Sequence, residues 1–232
     1  MENLGGMHMT GRFLELAGKR ILITGDTGFK GSWLALWLTQ LQAEVAGFAL
    51  PPESADVHFV QLGLANAIDH RDGDIRDLHT LHKVFAEIEP EVVFHLAAQS
   101  LVRRSYDKPN LTFDTNVGGS ANVLEAIRRC PTVKAAVYIT SDKCYENNEW
   151  TWGYREDDRL GGNDPYSASK AAAEMAYTAY VSSYFQDGPP FVASVRAGNV
   201  IGGGDWAADR IIPDCVRALE AGDPISIRSP GA

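Results

Sequence analysis

Cysteine is scarce in this chain. Cys130, Cys144 and Cys215 are odd in number and far apart, and no Cys-x-x-Cys pair occurs. Such a set indicates neither a disulfide framework nor a zinc site, so a reducing, cytoplasmic setting is expected. Positive charge is also in deficit: 21 Lys and Arg stand against 30 Asp and Glu, for a formal net charge of -9. That balance argues against a nucleic-acid partner, which calls for a basic stripe. A small anionic ligand needs only a few local cations and is not excluded. No apolar run is long enough to span a bilayer. The first residues lack the basic start and apolar core of a secretory signal. Internal repeats and low-complexity tracts are absent. His79 and His82 share a helix face, but no third ligand lies nearby, so no metal is expected.

What is present is the composition of a globular protein, with 45% apolar and 22% charged residues over 232 positions. Short apolar runs alternate with amphipathic stretches. Strands are expected at Arg20–Thr24, Glu44–Leu50, Ile68–His70, Val92–Leu96, Val133–Thr140 and Phe191–Arg196. Helices are expected at Phe29–Gln42, Leu78–Ile88, Val117–Ile127, from Asp164-Pro165 to about Phe185, and at Ile211–Ala221. Residues 51–66 read as irregular. Asp164-Pro165 is a strong helix start, because the carboxylate can accept from free amides and proline tolerates the first helical position. The alternation predicts an α/β fold: a parallel sheet covered on both faces, doubly wound in the order 3-2-1-4-5-6.

Two segments carry the chemistry. Gly25, Gly28 and Gly31 sit between the first strand and the first helix. There, glycine lets a pyrophosphate approach the backbone, and the helix N-terminus offers free amides. An ordinary strand–helix turn is the bland alternative; the flanking strand and helix favour a dinucleotide. The second strand ends in Phe48-Ala49-Leu50 without the acid expected to hold the adenosine ribose. No Lys or Arg occurs from residue 32 to 70 to meet a 2′-phosphate, so NAD is expected rather than NADP. Asp74-Ile75 would border the adenine.

The second segment is Tyr166-Ser167-Ala168-Ser169-Lys170. Tyr166 and Lys170 lie one helical turn apart, and a nearby ammonium is expected to lower the phenol pKa. The pair would then take a hydroxyl proton as hydride leaves the same carbon. Ser141-Asp142-Lys143 follows the fifth strand, at the sheet end where ligands bind. Ser141 can hydrogen-bond a sugar hydroxyl, Asp142 can protonate a departing hydroxyl, and Lys143 can take or return a carbon-bound proton.

These motifs resemble the extended short-chain dehydrogenase/reductase family, in particular its sugar-nucleotide 4,6-dehydratases. The likeness covers about residues 18–232. It rests further on His95-Leu96-Ala97-Ala98-Gln99, Asn116-Val117-Gly118-Gly119, Thr140-Ser141-Asp142-Lys143-Cys144-Tyr145, Trp150-Thr151-Trp152-Gly153-Tyr154-Arg155-Glu156, and the run from Arg196 to Trp206 that includes Gly202-Gly203-Gly204-Asp205. Asp142-Lys143, where most such enzymes have Asp-Glu, is similar to the CDP-glucose branch, and it leaves the C5 base as Lys143 or another group.

The resemblance implies a Rossmann domain at 18–196 that binds NAD, after a poorly ordered leader at 1–17, and an incomplete substrate lobe at 197–232. It implies C4 oxidation of a CDP-hexose, loss of water across C5 and C6, and return of hydride to C6. Gly25, Thr27, Gly28, Phe29, Lys30, Gly31, Asp74, Ile75, Leu96, Ala97, Ala98, Gln99, Asn116 and Thr140 would line the cofactor together with Tyr166 and Lys170. Ser100, Asn199 and Arg210 would meet the substrate, and a homodimer is implied. The rival readings are a sugar-nucleotide 4-epimerase, which needs no leaving-group acid, and a non-catalytic NAD-binding module.

Overall fold

Parallel strands bury both faces and need helical crossovers, and five short apolar runs and one polar edge strand, with intervening helices, meet that requirement here. The computed structural model describes residues 14–227. The strands are β1 (Arg20–Thr24), β2 (Glu44–Ala49), β3 (Asp69–Asp72), β4 (Val92–His95), β5 (Ala135–Ile139) and β6 (Phe191–Val195). They form one parallel sheet in the order β3-β2-β1-β4-β5-β6, as the alternation predicted. Residues 1–13 of the expected leader and 228–232 of the expected substrate lobe lie outside the described residues.

The two-residue period of the strands divides the core. Ile21, Ile23 and Val45 face helix α1 (Phe29–Gln40) and α2 (His58–Gln61), packing on Ala35, Leu38 and Phe59. Leu22, Phe48 and Val93 face the other way, toward α3 (Leu78–Ile88), α6 (Ser120–Arg129) and α7 (Pro165–Tyr184). Leu81, Val84 and Phe85 of α3 meet Val123, Leu124 and Ile127 of α6 there.

Several elements differ from the sequence reading. Residues 51–66 are not wholly irregular: α2 and a 3-10 turn at Leu64–Asn66 bring Phe59 and Leu64 into the core. Both are too short to show a period. The third strand is Asp69–Asp72 rather than Ile68–His70. It is a polar edge, and its Arg71 pairs with Asp69 and Glu87.

Besides α2, two further helices were not expected, α4 (Val102–Asp107) and α5 (Pro109–Phe113). α5 runs without a break through a π-helical stretch at Asp114–Gly119 into α6, so Val117 lies inside a helical run rather than starting one. Coverage of the sheet is incomplete at β6, where Phe191 is 68% and Val195 44% exposed. The remaining helix, α8 (Ile211–Ala221), follows an extended stretch after β6. No helix among the described residues is long and apolar enough to cross a membrane.

Leu124 is fully buried between α6 and the sheet. Leu124→Ala is expected to lower unfolding stability by about 2–5 kcal/mol through lost burial and the cavity left behind, read as a lower urea midpoint at unchanged slope.

Candidate active site

The carboxyl ends of β1, β4 and β5 lie along one edge of the sheet, and most of the side chains expected to carry chemistry gather there. At the end of β1 the backbone turns at Gly25 with φ +82°, and a Cβ there would stand 2.7 Å from the amide nitrogen of Ala97. A Cβ on Gly31 would lie 2.0 Å from the Gly25 carbonyl oxygen. Only hydrogen at these positions lets the turn, the helix and the β4 end close together. α1 starts at Gly28, which makes no side-chain cap hydrogen bond, so the first amides of the helix are left for an outside acceptor.

Gly25, Gly28, Phe29, Lys30, Gly31, Leu96 and Arg210 line the cleft in front. Partial desolvation lowers the Lys30 pKa, and the charge of Arg210 adds to it. Two cations over a helix N-terminus suit a pyrophosphate. Thr27 Oγ1 donates to the Leu50 carbonyl at 3.0 Å and ties the turn to the end of β2.

Asp164 places the tyrosine. Its carboxylate accepts from the amides of Tyr166 at 2.9 Å and Ser167 at 3.0 Å, and Pro165 opens the helix. Tyr166 and Lys170 are then one turn apart on the buried face of α7, 7% and 6% exposed. The expected lowering of the phenol pKa is not what the structure shows. Burial raises the Tyr166 pKa above the ordinary phenol value, and Asp142 and Asp164 push the same way, while the neighbouring Ser141 hydroxyl and the charge of Arg210 pull it down. Lys170 carries the larger change: burial, helped by Lys30, lowers its amine to about 8.

Ser141 caps the short 3-10 turn Asp142–Cys144 and donates to Asp142 Oδ1 at 2.9 Å. Asp142 and Lys143 are exposed beside it. The Asp142 amide donates to the Ala197 carbonyl at 3.1 Å, and Gly198 faces the Asp142 carboxylate. The stretch after β6 therefore runs past this acid. Asn199 and Ser100 are exposed.

Several other singled-out side chains are engaged within the protein. Asn116, on the π-helical stretch, accepts from the Gln99 amide and donates to the Gln99 carbonyl and to Ser169 Oγ. Gln99 donates to Thr112 and to the Leu101 carbonyl, and its oxygen accepts from the Leu101 amide. Thr140 donates its hydroxyl to Glu174. Ile75 is buried against Gly119, and Asp74 is held by Arg76. Ala97 donates to Thr24 Oγ1 at 3.4 Å, and Ala98 is half-buried.

The sequence reading missed a buried polar layer beneath these residues. Glu174, fully buried and one turn beyond Lys170, receives Arg196 at 2.8 Å and Ser194 at 3.2 Å. Burial would raise its carboxyl, but the bonds from Arg196 and Thr140 hold it below the usual range. Arg196 also donates to Tyr145 at 2.7 Å. His95 shares hydrogen bonds with Thr24 at 2.7 Å and Ser120 at 2.9 Å, and burial lowers it to about 3. The spacing of Glu174 after Tyr166 and Lys170 on one helix face was the available signal.

Because the unfolded Lys170 binds its proton up to about pH 10.5 and the folded one only to about 8, the unfolded state holds more protons between those values. The contribution of Lys170 to stability therefore rises with pH across that window. Denaturant titrations from pH 7.5 to 10.5 should show the parent gaining stability relative to Lys170→Met as pH rises.

Residues 22–199 match the family described as GDP-mannose 4,6 dehydratase. A CDP-glucose 4,6-dehydratase of Salmonella typhimurium is 51% identical over 219 residues, covering 92% of this chain and 61% of that relative, so this chain spans about three fifths of its length. Among solved structures, a dTDP-glucose 4,6-dehydratase from Bacillus anthracis in complex with NAD superposes with a TM-score of 0.75 at 26% identity, over 88% of this chain and 62% of that one. A UDP-glucose 4-epimerase from Thermus thermophilus, also in complex with NAD, gives 0.76 at 28% identity, over 91% and 67%. With a 3-2-1-4-5-6 sheet, a glycine-lined cleft and the buried Tyr166–Lys170 pair, the chain belongs to the GDP-mannose 4,6-dehydratase family of extended short-chain dehydrogenase/reductases.

Proposed function

We propose that the protein is an NAD-dependent hydro-lyase that converts CDP-glucose to CDP-4-keto-6-deoxyglucose and water. The observation that carries this reading is the grouping of Ser141 and Asp142 with Tyr166 beside the cleft: a proton acceptor and a leaving-group acid share one corner. The relatedness to a CDP-glucose 4,6-dehydratase supports the substrate.

In this reading Gly25, Thr27, Gly28, Phe29, Lys30 and Gly31 hold the cofactor pyrophosphate, with Asp74 and Ile75 at the adenine end. Leu96, Ala97 and Ala98 border the cofactor further along the cleft, over the layer that Gln99, Asn116 and Thr140 brace. When bound, NAD supplies the acceptor and later the donor of hydride. Tyr166 takes the C4 hydroxyl proton, steered by the Ser141 hydroxyl. Burial opposes ionisation of this phenol, so the Ser141 hydroxyl and the positive charge of Arg210 favour the phenolate as the proton leaves. Once C4 is a carbonyl, the C5 hydrogen is acidic and passes as a proton to Lys143 in its neutral form or to another base, which returns a proton to C5 when C6 is reduced. Asp142 protonates the C6 hydroxyl, which departs as water. Ser100, Asn199 and Arg210 hold the nucleotide sugar.

Residues 18–196 then form the cofactor-binding unit, and 197–232 belong to the substrate lobe. A second copy of this chain would pack on the α5–α7 side, where Phe113 and Met175 are exposed. The free thiols of Cys130, Cys144 and Cys215 suit a cytoplasmic setting.

Incubation with CDP-glucose and NAD should yield a 4-keto-6-deoxy product, seen by its alkaline absorbance and by mass spectrometry. Tyr166→Phe should slow turnover by about 10²–10⁴-fold. Asp142→Asn should depress dehydration far more than C4 oxidation, whereas an unaffected Asp142→Asn enzyme would point to an epimerase.

A further inference from the structure

The glycine run 202–204 has no part in the chemistry above, yet it is packed with care. Gly202 stands against the Phe29 ring, where a Cβ would lie 3.1 Å from Cζ. The next carbonyl, of Gly203, accepts from Trp33 Nε1 at 2.9 Å. Gly204 has φ +79°, and a Cβ on it would fall 2.3 Å from His58 Cδ2. His58 is itself held: its Nδ1 shares a 2.8 Å hydrogen bond with the buried Ser32 hydroxyl, and its ring lies 4.5 Å from that of Trp33. Phe29, Ser32 and Trp33 belong to α1 and His58 to α2, so the run is seated on the two helices beside the cofactor cleft.

Immediately after the run, the largely buried Asp205 carboxylate accepts from Arg210 at 3.3 Å and from the Ala207 amide at 3.2 Å. Arg210 in turn lines the cleft with Lys30 and bears on Tyr166. Contact thus passes without a gap from Trp33 and His58, through three glycines, to Asp205 and then Arg210.

We infer that Gly202–Gly204 is a strap clamped onto Trp33 and His58, and that Trp33, His58 and Asp205 are positioning residues that set Arg210 between the phosphate cleft and the Tyr166 phenol. The inference rests on the functional reading above for the ligand that Arg210 meets, a nucleotide sugar. A glycine is required where the strap crosses His58, because any side chain there collides with the imidazole and the backbone is in the left-handed region. Trp33 supplies one directed hydrogen bond and a flat seat, two contributions that substitution can separate. The strap meets the cleft only through Phe29 and Arg210 and leaves Gly25, Gly31 and Lys30 untouched, so cofactor affinity depends on it less than sugar-nucleotide affinity does.

The test uses the full-length protein and the variants Trp33→Phe, Trp33→Ala, Gly204→Ala and Asp205→Asn. Amide hydrogen exchange over residues 200–210 and calorimetric titration with NAD and with CDP-glucose are the readouts. Trp33→Ala and Gly204→Ala should speed exchange in 200–210 at least tenfold and weaken CDP-glucose binding about tenfold, with a clearly smaller loss of NAD affinity. Trp33→Phe, which keeps the seat and loses the hydrogen bond, should fall between parent and Trp33→Ala. Asp205→Asn should weaken CDP-glucose with little change in exchange. Unchanged exchange in Trp33→Ala and Gly204→Ala, or loss of NAD affinity equal to that of the sugar nucleotide, overturns the inference. A parent protein that binds NAD but no CDP-glucose overturns the functional reading instead, and the exchange measurement still decides the strap.

Discussion

The close approach of Gly25 to Ala97 is the constraint from which the site follows. With a Cβ barred at 2.7 Å from the Ala97 nitrogen, the ends of β1 and β4 come together and the first turn of α1 opens toward solvent. The groups proposed to bind and react are then arranged around that opening, which Lys30, Leu96 and Arg210 line. Parallel pairing of β4 with β5 delivers Ser141 and Asp142 to the same edge, and the Asp164 cap delivers Tyr166. No single side chain builds the site. Three strand ends and two helix starts do, each held by backbone geometry.

Beneath the reactive groups lies a layer of polar side chains that bond to one another. Asn116 joins the β4 end to α7 through Gln99 and Ser169. Glu174 joins α7 to the ends of β5 and β6 through Thr140, Ser194 and Arg196. His95 joins β1 and β4 to α6 through Thr24 and Ser120. Buried polar groups are costly unless satisfied, and satisfied ones admit few alternative arrangements. This layer therefore acts as a rigid base for Tyr166, Lys170 and Ser141. It also accounts for residues that share motifs with the reactive ones but whose side chains turn inward.

Electrostatics in the pocket is set by burial more than by pairing. The sequence reading treated Lys170 as the agent that acidifies Tyr166. In the folded chain desolvation dominates both groups, raising the phenol and lowering the amine. The balancing influences on the phenol are Ser141 and Arg210, from β5 and from the stretch before α8. A spacing of four residues predicts a shared helix face; it does not predict how much water the fold excludes.

Sequence by itself determined the strand order, the glycine turn, the Asp164-Pro165 helix start and the shared face of Tyr166 and Lys170. The strand order follows from the strand–helix alternation along the whole chain; the others depend on local rules, since backbone freedom, capping and periodicity act within a few residues. Tertiary structure alone decided the rest. The π-helical stretch that presents Asn116, the inward turn of Gln99 and Thr140, the Glu174–Arg196 pair and the seat of Gly204 on His58 all join residues distant in the chain. Their hydrogen bonds and steric contacts exist only after the sheet has brought those segments within a few ångströms, and no local pattern encodes that distance.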